Sequence, residues 1–230
     1  MIERSFILEN NDPLKKGLYL QQIIFKNFIK PIRNNICVSS KMLNEIRVCS
    51  VIFGWNIDKS FDKIFEDYNI LEYMNFLIEL CQIHPMNYVV NDDTNHTMGT
   101  PFSSGSIIEL RQNQTVQLSY DLWSINYTII NVPNFVVFKI NNLTEEFSIN
   151  KKIKLFDNMH QYHNIVWIFH SLIYENDTGN CNYNVIVNDD KKMIMYQNDS
   201  YPNIQVFNEK IIQSLKNKSI IIFYAKEPTV

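Results

Sequence analysis

Near residue 85 the hydrophobic period of the chain changes from helical to strand-like, and this switch limits the fold more than any other feature. Upstream, Leu14, Leu18, Gln21, Ile24, Phe25 and Phe28 recur at helical spacing, and so do Met42, Ile46, Cys49 and Phe53. A further helix is predicted over Ile70–Ile83, with Leu71, Met74, Leu77, Ile78 and Cys81 on one face and Pro85 as its stop. Downstream, segments rich in β-branched and aromatic residues read as strands: Val116–Trp123, Tyr127–Val132, Phe135–Ile140 and Ile165–Tyr174. Tyr183–Val187, Lys192–Tyr196 and Ile220–Tyr224 continue the series. Asn91–Ser106 is polar with Gly and Pro and reads as a loop, and Phe207–Leu215 as one short helix. Helices first and a mostly antiparallel sheet second predict an α+β fold.

The 230 residues suffice for one domain, 1–230, with a helical lobe over about 1–85 and a β lobe over 86–230. The net charge of −3 gives no broad electrostatic footprint, so neither nucleic acid nor a membrane is expected as a partner. Met1-Ile2-Glu3-Arg4-Ser5 runs straight into mixed polar sequence, unlike a secretory leader, so an intracellular, cytoplasmic location is expected. Thirty Asn and 33 Ile residues stand beside a single alanine, Ala225, a bias that points to an AT-rich genome such as that of a large DNA virus or an AT-rich unicellular eukaryote.

Four cysteines, Cys37, Cys49, Cys81 and Cys181, are widely spaced with no C-x-x-C pair, which argues against structural zinc and against a disulfide framework. No metal and no cofactor is expected. Cys37 follows the loop-like Ile32-Arg33-Asn34-Asn35 and precedes a helical run. A thiol at a helix N-terminus feels the positive end of the macrodipole, which favours the thiolate. Taken alone, the same position also suits a small buried hydrophobe.

The surroundings of Cys37 carry more. Asn34-Asn35-Ile36-Cys37-Val38-Ser39-Ser40-Lys41-Met42-Leu43-Asn44 resembles the cysteine box G-N-T-C-Y-x-N-S-x-L-Q of ubiquitin-specific proteases. Asn69–Glu79 is similar to that family's D-A-x-E-F-L-x-x-L-L-D helix. Further on, Val132–Ile140 resembles L-P-x-x-L-x-x-x-L-x-R, and Tyr162–Ser171 resembles Y-x-L-x-x-V-x-x-H-S-G. Gly179–Tyr183 lies where the family has G-H-Y, Ile194–Ser200 parallels W-Y-x-F-D-D-S, and Ile221–Lys226 is like the closing A-Y-x-L-x-Y strand. Order and spacing hold over roughly residues 30–226. The resemblance implies a papain-like core of the ubiquitin-specific-protease type. The stretch Ile83–Val116 is short, so the family's fingers would be reduced.

Carried over residue by residue, the resemblance gives Cys37 the nucleophile's place and Asp199 that of the acid that orients the catalytic histidine. Asn182 occupies the histidine position, and Ile32 the position of the oxyanion-hole asparagine. A thiol protease needs a base to form the thiolate and an acid for the leaving amine. An asparagine amide does neither at neutral pH. Losing one oxyanion donor costs roughly 10²–10³ in rate, and losing the base costs about 10³ or more.

Three functional readings follow. One is an inactive protease fold kept as a binding or structural module, with ubiquitin or a subunit of a viral or host complex as partner, in the cytoplasm or in a virion. Another is a working deubiquitinase or thiol protease that uses Cys37 with a base drawn from His84, His96, His160, His163 or His170. The third is an unrelated α+β structural protein.

Overall fold

The computed structural model describes residues 12–34, 38–55, 70–81, 86–90, 103–105, 107–129, 134–144, 146–155, 165–175, 183–189, 192–196, 203–205 and 215–227. They fall into two compact units, Met1–Ile83 and His84–Val230. The first is helical among its described residues and the second carries all the described strands, so the fold class is α+β.

In the first unit, α1 (Pro13–Ile24) starts with Asp12 accepting a hydrogen bond from the Leu14 N–H at 3.0 Å. Pro13 fills a first-turn position where a missing N–H costs nothing. A π-helical turn, Phe25–Ile29, follows and leads into the short helix α2 (Lys30–Arg33). The turn carries Asn27 into the interior, where its amide donates to the Glu45 carboxylate. Helix α3 (Ser40–Ile52) is capped by Ser39 and ends at Gly54, whose φ of 116° suits glycine. Helix α4 (Ile70–Leu80) buries Met74 and Ile78, on the face its spacing predicts.

The residues of α1 that bury are Gly17 and Leu20; Leu14, Leu18, Phe25 and Phe28 mark the helical period but stay exposed. Leu20, Cys49 and Phe53 form the small core of this unit, with Tyr19, Ile23, Phe76 and Leu77 packed around them. Gly17 permits the approach of α1 to α4. A methyl group there would lie 2.1 Å from the Leu80 carbonyl oxygen.

The second unit contains a sheet with strand order β10-β9-β8-β7-β11-β5-β3, with β6 also paired to β7, and a smaller sheet β2-β1-β4. The strands are β1 (Met86–Val90), β2 (Ser103–Gly105), β3 (Ile108–Leu110), β4 (Tyr127–Ile129), β5 (Phe135–Ile140) and β6 (Lys152–Lys154). Then come β7 (Val166–Glu175), β8 (Tyr183–Asp189), β9 (Lys192–Tyr196), β10 (Asn203–Gln205) and β11 (Ile220–Lys226). All described pairings between these strands are antiparallel except β3 with β5. Opposite residues Phe138, Ile222 and Leu172 run across β5, β11 and β7 and are all fully buried. Ile186 of β8 extends this row opposite Leu172. Trp167 and Phe169 are buried in the core; Val137 is buried too, but on the face of β5 opposite Val136, Phe138 and Ile140, and Phe135 and Ile165 are half-buried.

Two predicted elements are corrected. Val116–Trp123 is not a strand but helix α5 (Val116–Ser124), capped by Thr115, whose hydroxyl accepts from the Leu118 N–H. Its buried face is Val116, Ser119 and Tyr120, at helical spacing, and the Tyr120 ring packs 5.9 Å from Phe138. Within Asn91–Ser106, read as loop, Ser103–Gly105 forms β2 against β1. Phe207–Ser214 lies outside the described residues, and Leu215 is in a turn.

Gly17→Ala gives the most direct test of helix packing in the first unit. Overpacking costs about 1–3 kcal/mol, and here the obstacle is backbone rather than a movable side chain. The higher helix propensity of alanine returns about 1 kcal/mol. With a backbone obstacle the upper end of that range applies, about 3 kcal/mol less about 1, so urea denaturation should report a net loss of about 2 kcal/mol; unchanged or raised stability would show that α1 and α4 do not approach this closely.

Candidate functional site

The elements that lead into the four sequence-derived positions are described, whereas three of the positions are not. Cys37, Asn182 and Asp199 lie outside the described residues, and so do His84, His96, His160 and His163. Ile32 falls within the helical turn of α2, whose end is marked by the Asn34 N–H donating to the Lys30 and Pro31 carbonyls. Three residues after Cys37 comes α3, with the Ser39 hydroxyl accepting from the Met42 N–H at 3.3 Å. Ser39, not Cys37, is therefore the N-cap residue.

In the β unit, Asn182 immediately precedes β8, and Asp199 follows β9 by three residues. These strands pair antiparallel with Val185 opposite Tyr196, so the start of β8 and the end of β9 lie at the same end of the pair. Next to it, Asn184 is buried at 3% exposure and its Oδ1 has no hydrogen-bond partner.

His170 is the described histidine. The register between β7 and β11 shifts there, with Phe223 opposite Ser171 but Tyr224 opposite Phe169, so His170 is the extra residue of a β-bulge. It is exposed, and its Nδ1 lies 3.0 Å from the Ser171 hydroxyl. The Asn188 amide secures the bulge from β8 by donating to the Phe169 carbonyl at 2.9 Å.

The two described thiols are unsuited to nucleophilic work. Burial, aided by the Glu45 carboxylate, pushes the Cys49 thiol up to about 11. Burial also raises Cys81, partly opposed by a hydrogen bond from Gln21. Among the described residues no group of His, Cys, Asp and Glu is arranged to hold a metal ion. No helix among them is long and apolar enough to cross a membrane.

Sequence reasoning missed a cavity of about 340 Å³ in the helical unit, lined by Ile24, Phe28, Leu43, Ile46, Arg47, Trp55, Tyr73 and Leu77. The Tyr73 hydroxyl is held 2.9 Å from Ser50, which itself donates to the Ile46 carbonyl. Trp55 and Tyr73 meet edge to face at 5.0 Å. Its apolar, aromatic lining suits binding rather than proton transfer. Trp55 and Tyr73 carried a signal in the sequence only as aromatic residues near helix ends.

Iodoacetamide mapping at pH 8 checks the two thiols. With a pKa of about 11, Cys49 is only ~0.1% thiolate there, so labelling should wait for denaturation. A raised folded-state pKa means the folded form holds its proton more tightly. The resulting stability is fully present below the ordinary thiol value of 9 and falls as pH rises from there towards 11. Rapid native labelling of Cys49 would contradict this burial.

No protein-family model matches the chain, and no curated protein matches it by sequence. Among solved structures, the fold is similar to that of a chain in the Ubp8-Sgf11-Sgf73-Sus1 SAGA DUB module, with a TM-score of 0.55 and 10% identity. The match covers 91% of this chain and 64% of that one, so this chain spans a little under two thirds of its neighbour's length. At that identity the likeness is one of fold.

Proposed function

We propose that this chain is a ubiquitin-specific-protease-like domain, 1–230, that binds protein and does not hydrolyse peptide or isopeptide bonds. The carrying observation is the fold likeness to a chain of a DUB module. The sequence blocks from Cys37 to Lys226, which follow the family's order, support the same assignment. The loss of activity rests on two positions in that alignment. Asn182 puts an amide where a base must accept the thiol proton, and Ile32 puts a hydrocarbon where an oxyanion needs a donor. Cys37 and Asp199 are what remains of the triad.

A protein partner is supported by the neighbour itself, which belongs to an assembly of four named proteins. For this chain the partner would be ubiquitin or a subunit of a viral or host complex, in the cytoplasm or a virion. No metal or cofactor enters this reading.

Ubiquitin carrying a C-terminal propargyl group should form no adduct with Cys37, and release of an amine from a ubiquitin C-terminal amide should be undetectable. Asn182→His alone leaves Ile32 without a donor, so the double variant with Ile32→Asn is the fairer trial of recovery. Cys37-dependent turnover by the natural chain would contradict the proposal and direct attention to the five histidines as bases.

A further inference from the structure

The helical segment Pro13–Arg33 contains Lys15, Lys16, Lys26, Lys30 and Arg33 and no acidic residue, a charge of +5. The chain as a whole is −3, so everything outside this segment sums to −8. One side of the segment is anchored: Gly17, Leu20 and Asn27 are buried in the helical unit. The opposite side carries large apolar residues in the open, Leu14 at 46%, Leu18 at 50% and Phe25 at 51% exposure, whereas Phe28 turns towards the cavity of the helical unit. At 3.6 residues per turn, Leu14, Leu18 and Phe25 fall within about 40° of arc. Lys15 and Lys26, both exposed, lie about 60–100° further round on one flank, and exposed Lys30 follows after the π-helical turn.

We infer that this face is a docking surface for an anionic lipid membrane, held at the interface without crossing it. Exposed Leu and Phe beside a lysine row is the composition of a helix that lies in the headgroup boundary, its apolar residues in the acyl region and its ammonium groups among the phosphates. Lysine is depleted at protein–protein interfaces, whose anchors are aromatic residues and arginine, so the flank favours lipid over a protein groove. Net charge taken over the whole chain hides the feature. The inference does not depend on the protease-like reading.

Sedimentation of the full chain with vesicles provides the test. Binding is expected to vesicles of 70% phosphatidylcholine and 30% phosphatidylserine at low salt, and not to phosphatidylcholine alone. Raising NaCl to 1 M, where the screening length is ~3 Å, should release the protein. Each basic residue near the surface is worth roughly fivefold in partitioning. The triple variant Lys15→Glu/Lys26→Glu/Lys30→Glu should therefore bind at least ~100-fold more weakly. Leu18→Glu/Phe25→Glu should also lose binding while its circular dichroism stays unchanged, because both sites are exposed. Absence of binding to the phosphatidylserine vesicles overturns the inference and leaves the face to a protein partner. Binding that ignores phosphatidylserine, or that survives either variant, overturns it as well.

Discussion

The β unit depends on where β11 lies. This strand pairs with β5 on one side and β7 on the other, which puts Ile220, Ile222 and Tyr224 in the middle of the buried face. Opposite them, Phe138 and Ile140 come from β5, and Leu172, Tyr174 and Phe169 from β7. A segment near the C-terminus of the sequence thus joins strands that lie about 45 to 90 residues earlier. Tyr224 adds a polar tie within this apolar face, since its hydroxyl donates to the Asn150 carbonyl at 2.8 Å. Burial pushes its phenol well above the ordinary range, so it stays neutral and the bond persists across physiological pH.

Helix α5 and the sheet are joined by side chains that do the work of backbone. The Gln117 amide donates to the Lys154 carbonyl and its oxygen accepts from the Lys154 N–H, so one side chain pairs with β6 much as a neighbouring strand would. The Gln117 N–H is taken by the Asn150 side chain. Trp123 stacks on Tyr127 and meets Tyr88 edge to face, which links the helix to the smaller sheet. This layer keeps the core face dry.

Strongly periodic segments were legible in the sequence. Ile70–Leu80, Phe135–Ile140, Val166–Glu175 and Ile220–Lys226 form the elements their patterns predict. Val116–Trp123 was not, because it satisfies two periods at once. Val116, Leu118, Tyr120 and Leu122 alternate like a strand, whereas Val116, Ser119, Tyr120 and Trp123 share a helical face. The Thr115 cap and the packing of Tyr120 on Phe138 favour the helix, and Leu118 and Leu122 are left exposed. The basic face of Pro13–Arg33 was hidden for a different reason: summing charge over 230 residues cancels a local excess of five. Of the candidate site, Ile32 has a described place in the backbone, and the geometry among Cys37, Asn182 and Asp199 belongs to the proposal.

That geometry is also where the account is most exposed. The measurement that tests it most directly is the separation of the Cys37 sulfur from the Asn182 side chain in a crystal structure. A degenerate protease site predicts the two within about 4 Å, the reach over which a thiol and its base work. A separation beyond ~10 Å would place them in unrelated surroundings and remove the basis for reading either residue as part of a triad.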